Sequence, residues 1–175
     1  MDTKDEAPID AAAMSEAAIA DYITSAFDDV HVQSNLGYLF FFRGDDRLMP
    51  FATIASHGNA YEQVSRLDRP SVYRLNIGLT RAGYTALFGP PPKGLGPDGV
   101  VATDHDFTAL DTLLPHPHYA PQSWVCVLRP SAATFERVRP LLAEAYGRAG
   151  RRGAASKGRG SEPVDGLVDG ADDGA

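Results

Sequence analysis

Between Val30 and Ser56 three strand-like segments follow one another so closely that only antiparallel pairing can join them, since a parallel crossover needs about a dozen residues or more. Val30 and Val32 alternate with His31 and Gln33, the period of a half-buried strand. Asn35-Leu36-Gly37 then turns the chain into Tyr38–Phe42, an all-apolar strand expected to be covered on both faces. Arg43 to Asp46 reads as a polar turn into a third strand, Phe51–Ser56. A fourth is predicted at Val72–Ile77, where Tyr73, Leu75 and Ile77 alternate with Arg74 and Asn76, so that one face is core and the other polar. Trp124–Leu128, apolar throughout, has the character of a central strand.

Helical patterns flank these strands. Ile19, Tyr22, Ile23, Ala26 and Phe27 fall on one face of a helix predicted from about Ala11 to Phe27. A short helix over Arg81–Phe88 is fully punctuated: Thr80 caps its start, Leu79 can staple onto Tyr84, and Gly89-Pro90 ends it. Asp106 can cap another short helix from Phe107 to Leu113, closed by Pro115. The last helix is expected from about Ser131 to Ala149, with Phe135, Val138, Leu141, Leu142, Ala145 and Tyr146 as its buried stripe and Pro140 causing a kink or a late helix start. The order implies an α+β domain: an antiparallel sheet of about five strands with the N- and C-terminal helices packed on one side. Residues 11–150 form this single domain. Residues 1–10 and the glycine-rich stretch 151–175 bury too little apolar surface to order themselves and are expected to be disordered.

Charge narrows the partners. Residues 1–10 carry −3 (four acids against Lys4) and residues 151–175 carry −1 (five acids against four bases), which leaves −3 of the total −7 on residues 11–150. A nucleic-acid target normally asks for a basic surplus, so none is expected. The acidic start is unlike a secretory signal, and the strongest apolar run, Tyr38 to Phe42, is far short of a membrane span, so the expected location is cytoplasmic with no membrane partner.

Two stretches carry a family resemblance. Residues 117–149, PHYAPQSWVCVLRPSAATFERVRPLLAEAYGRA, resemble the closing part of MmcQ/YjbR-type domains, in which a loop leads to a tryptophan-bearing strand and a final helix. Leu67–Gly78 (LDRPSVYRLNIG) with His116–Val125 (HPHYAPQSWV) is still more similar to a bacterial family of unknown function, domain of unknown function 6194, over roughly residues 15–150. The first resemblance implies a double-wing fold similar to frataxin, and the second implies no particular activity. The frataxin-like comparison would also make the acids around the first helix, Asp21 and Asp28 among them, an iron-holding ridge, although solvated surface charge accounts for them equally.

Few residues stand out as chemical. His116 and His118, one residue apart, are the best-placed pair for a metal, but the helical HExxH and the CxxC spacings that mark zinc sites are missing. The alternative is that both histidines bond backbone in a proline-bent loop. Cys126 is the single cysteine, and its neighbours Val125, Val127 and Leu128 place it in a buried strand where a thiol is inert. No phosphate-cradling glycine motif occurs, and no cofactor is expected. Arg74 and Asn76 on the polar face of the fourth strand suit a carboxylate or phosphate, and His116, Tyr119 and Trp124 would supply titratable and aromatic walls if the strands were adjacent. They read equally well as a buried network in which Asp68 pairs with Arg74 or Arg69. These residues together indicate a non-enzymatic module that binds an unknown small molecule or protein. The alternative is a small enzyme or metal-dependent protein working in the His116–Trp124 loop.

Overall fold

The computed structural model describes residues 13–45, 47–59 and 62–159. Of the segments expected to be disordered, residues 1–10 and the 160–175 part of 151–175 lie outside these, while residues 151–159 are described and helical. The strands are β1 (Val30–Asn35), β2 (Tyr38–Arg43), β3 (Ala52–Ala55), β4 (Arg74–Gly78), β5 (Leu113–Pro115) and β6 (Trp124–Leu128). Helices α1 (Glu16–Ala26), α2 (Arg81–Phe88) and α3 (Ala132–Arg159) complete the fold. The sheet has six strands among the described residues, in the order β1-β2-β3-β4-β6-β5, and every pairing is antiparallel.

Strand alternation divides the sheet into two chemically different faces. Phe41, Ala52, Ile54, Leu75, Ile77, Val125 and Val127 join Ile19 and Ile23 of α1, Tyr84 of α2, and Phe135, Val138 and Leu142 of α3 in the main core. The other face carries a smaller apolar cluster (Ala55, Leu67, Val72, Leu114, Cys126, Leu128) together with the polar side chains of β4. Loop residues Leu67 and Val72 close over that second face, so β3, β4 and β6 are buried on both sides, whereas β1 is largely exposed.

The capping signals around α2 appear where expected. Gly83 N donates to Thr80 Oγ at 3.0 Å, and Gly89 at φ 80° ends the helix. Several elements differ from the sequence reading, the first being α1, which starts at Glu16 behind its Ser15 cap rather than at Ala11. The helix expected over Phe107–Leu113 is absent, and a sixth strand, β5, stands beside β6 instead of the five strands expected. Asp106 does accept from Thr108 N (2.9 Å) and Thr108 Oγ (2.7 Å), but this closes a turn rather than starting a helix. Thr108, Asp111 and Thr112 are poor helix formers, and the open edge of β6 offers the segment backbone partners instead, such as Leu128 O for Asp111 N at 2.8 Å.

The last helix also runs ten residues beyond its expected end at Ala149. Gly150, expected to be the last residue of the domain, leaves the space that Arg43 occupies, for a Cβ there would collide with the Arg43 guanidinium. Arg43 lies 3.9 Å from the Tyr146 ring centroid and donates to Tyr146 O at 2.9 Å. Pro140 sits inside this helix, exposed, and has no N–H for the carbonyl one turn back. Pro140→Ala should therefore stabilise the domain by about 2 kcal/mol, the helix-interior penalty of proline less its entropic advantage in the unfolded chain. Urea denaturation of the two proteins measures this, and an unchanged midpoint would mean that the backbone here has adapted to proline.

Candidate functional site

Adjacency of β4 and β6 decides which candidates meet. Arg74, Asn76 and Gly78 share the second face of the sheet with Trp124 and Cys126, which stand opposite Gly78 and Asn76 respectively. His116, one residue past β5, is placed by its own N–H on Trp124 O at 3.0 Å. Its ring then lies against Arg74, with Nε2 at 3.5 Å from Nη2. Four of the five named residues, Arg74, Asn76, His116 and Trp124, are therefore brought together and buried. Tyr119 flanks His116 at 4.8 Å between ring centroids and is 56% exposed, which makes it the rim.

Arg74 is 2% exposed and is engaged on every side. Nε donates to Asn76 Oδ1 at 2.8 Å, Nη1 to Ser65 Oγ at 2.7 Å, and Nη2 to Glu62 Oε2. Asn76 passes the network on to Thr53 Oγ at 2.9 Å. A buried guanidinium is tolerated only when paired and hydrogen-bonded, and here it has a carboxylate counter-ion and two further acceptors. Its counter-ion is Glu62, not Asp68. The Arg69 guanidinium, the other partner considered for Asp68, is turned to the carbonyls of Ser65 and Thr108 at 3.1 and 2.8 Å.

The two histidines do not converge on a metal. His116 Nδ1 accepts from the backbone N–H groups of His118 (3.1 Å) and Tyr119 (3.0 Å), so its lone pair is spent on the loop. Burial, then the Arg74 guanidinium and His118, hold the His116 pKa well below the usual imidazole range, so the ring is neutral at pH 7. His118 Nδ1 faces Gly99 O at 2.9 Å, and Nε2 lies 3.5 Å from Glu62 Oε2, near enough to pair when the ring is protonated. No group of three or more His, Cys, Asp or Glu among the described residues is arranged to hold a metal ion. Asp21 and Asp28 are exposed.

Two polar atoms in this corner are left over. Glu62 Oε1 and His118 Nε2 are both buried and have no hydrogen-bond partner among the described residues. Glu62 is also part of the wall of a cleft of about 920 Å³, lined further by Glu16, His57, Asn59, Arg66 and Asp68. None of the five residues singled out in the sequence lines that cleft. Glu62 escaped notice because a lone loop glutamate carries no pattern. The available signal was indirect: an arginine alternating with core residues on a central strand requires a carboxylate from somewhere.

Cys126 is fully buried, with Sγ 3.6 Å from Pro115 O, and burial pushes its thiol up to about 12. A thiol reagent at pH 8 should label it only as fast as the domain unfolds, with full labelling on adding denaturant. Rapid labelling of the native protein would show instead that the second face opens.

No curated protein and no solved structure matches this chain. A family model does: residues 14–158, which span every strand and all but the last residue of α3, match it, and the chain belongs to the family of unknown function DUF6194.

Proposed function

We propose that the domain is a non-enzymatic binding module whose small-molecule ligand sits in the corner between Glu62, Arg74, His116 and His118. The observation that carries this reading is the pair of buried polar atoms, Glu62 Oε1 and His118 Nε2, with no partner among the described residues. Leaving such a group unsatisfied costs about 1–3 kcal/mol, which a ligand would recover. Arg74 and Asn76 would hold the corner's shape, while His116, Tyr119 and Trp124 would wall it. Binding rather than catalysis is favoured because the guanidinium, the thiol and the His116 lone pair are already committed to protein partners, which leaves none of these groups free to act as nucleophile or base.

A thermal-shift screen of the full chain tests this. A ligand at a hundred times its Kd adds about 2.7 kcal/mol of apparent stability, a rise of several degrees in Tm. The rise should shrink in His116→Ala and Tyr119→Ala. Hits that shift both variants as much as the parent would overturn the assignment of the corner.

One observation favours a second reading, a small enzyme in the His116–Trp124 loop. Glu62 Oε2 and His118 Nε2, 3.5 Å apart, form a carboxylate–imidazole pair of the kind used to move protons. Conversion of a screening hit, followed by NMR, would decide for it. We further infer a domain without a duplex-DNA target, supported by the charge of −3 on residues 11–150 within the total of −7, and a cytoplasmic one, supported by an acidic start unlike a secretory signal. Submicromolar, salt-dependent DNA binding would refute that. The strand, tryptophan and helix sequence from Trp124 to Ala149 supports a MmcQ/YjbR-type fold.

A further inference from the structure

Resting on the binding reading above, we infer that the ligand presents a neutral amide-like edge, an N–H donor beside a carbonyl acceptor, to Glu62, His118 and His116. The reasoning starts with His116. Because Nδ1 accepts two backbone N–H groups, at 3.1 and 3.0 Å, the ring proton resides on Nε2. That Nε2–H points toward Arg74 Nη2, 3.5 Å away, and a guanidinium nitrogen can only donate. The contact is therefore donor against donor, and it calls for an acceptor beside the two groups.

The complementary need lies across the corner. Glu62 Oε1 is a buried acceptor with no donor among the described residues. His118 turns Nδ1 to Gly99 O at 2.9 Å, so a neutral ring presents the Nε2 lone pair on the same side as Glu62. Two acceptors thus lie in the same corner as the two opposed donors, and His118 has to swing aside before a ligand can reach them. A primary carboxamide satisfies all of them at once, with its NH₂ directed to Glu62 Oε1 and His118 Nε2 and its oxygen to His116 Nε2–H. The amide edge of a flat heterocycle does so in part.

Charge selects the same class. The Glu62–Arg74 pair is neutral as a unit, with Glu62 side chain 7% exposed and Arg74 2%. An anion would meet the Glu62 carboxylate, and a cation would meet the guanidinium. The rings of His116 and Tyr119 beside the corner suit a planar body behind the amide. His118, with 21% of its side chain exposed, lies nearest to solvent and is the group that must move for entry.

Three probes of nearly one shape separate the possibilities: benzamide, benzoate and benzamidine, titrated calorimetrically into the full chain. Benzamide should bind roughly tenfold or more tighter than either ion, the usual consequence of one mispaired buried hydrogen bond. Glu62→Gln keeps an oxygen for Arg74 but places an NH₂ where Oε1 was, so it should lose that preference. If that variant folds poorly, His118→Phe removes the second acceptor at the rim and should weaken benzamide by a similar factor. Equal or tighter binding of benzoate or benzamidine would overturn the amide assignment and leave the binding module standing. Silence from all three probes would also overturn it, with an ordered water left to fill the corner, and the broad screen would then judge the binding reading by itself. Benzamide binding untouched by both substitutions would place its site elsewhere and refute the inference.

Discussion

Arg74→Met is expected to remove about 3–5 kcal/mol of folding stability, because it leaves the Glu62 carboxylate buried without its counter-ion. Arg74 is 2% exposed and donates to Glu62, Ser65 and Asn76, so the variant strands three acceptors at once. Methionine fills much of the same volume, so the loss reports the polar network more than a cavity. At roughly 2–4 °C per kcal/mol for a chain of this size, Tm should fall by about 10 °C. The partner experiment gives the result its meaning. Arg74→Met combined with Glu62→Leu should recover most of the loss, since a buried ion pair exchanged for apolar groups is often neutral in stability. A double variant that is stable but no longer binds the hits of the ligand screen would show that the pair is kept for the site. A double variant as unstable as the single one would mean that Ser65 and Asn76, not the ion pair, dominate the energetics.

Much of this arrangement was visible in the sequence, and the gaps have physical reasons. The alternation of Arg74 and Asn76 with Leu75 and Ile77 separates the two faces of β4 correctly, because side chains on a strand must point in opposite directions. Alternation does not say which face is covered. The face that reads as outward is roofed by Leu67 and Val72, and its guanidinium is as buried as the core. Strand order was equally invisible, since the antiparallel neighbour of β4 comes from Trp124–Leu128, beyond a long loop. Local signals succeeded where the chemistry is local, as in the Thr80 cap of α2. They failed where a distant group decided the outcome. Leu113–Pro115 became a strand because β6 has an open edge, and Gly150 lies inside α3 at a point where Arg43 leaves no room for a Cβ. Glu62 reached the site through the path of a loop, which no periodicity records.

The other large effect is expected at Trp124, where β4 and β6 depend on a missing side chain. Gly78 stands directly across from Trp124, and a Cβ on Gly78 would lie 2.8 Å from the indole Cε2 and 2.9 Å from Cζ2. The indole therefore lies flat over the glycine, 9% exposed, and shields backbone that glycine alone would leave bare. Trp124→Ala should cost about 3–5 kcal/mol, for the lost burial and the cavity left behind. Gly78→Ala should cost about 1–3 kcal/mol, because the rigid ring has to move. Their combination is the informative case. Once the indole is gone the clash disappears, and alanine is better than glycine in a strand by roughly 0.5–1 kcal/mol. Gly78→Ala should thus change sign, destabilising the parent and stabilising Trp124→Ala. Denaturation midpoints of the four proteins measure the coupling. The emission of the single tryptophan should shift to the red in Gly78→Ala as the ring is pushed toward solvent. Since His116 meets the same indole edge-on at 6.5 Å, the displacement should also weaken any ligand held in the Glu62 corner. An equal cost of Gly78→Ala in both backgrounds would show that the strain lies in the backbone of β4, and that Trp124 is not what requires the glycine.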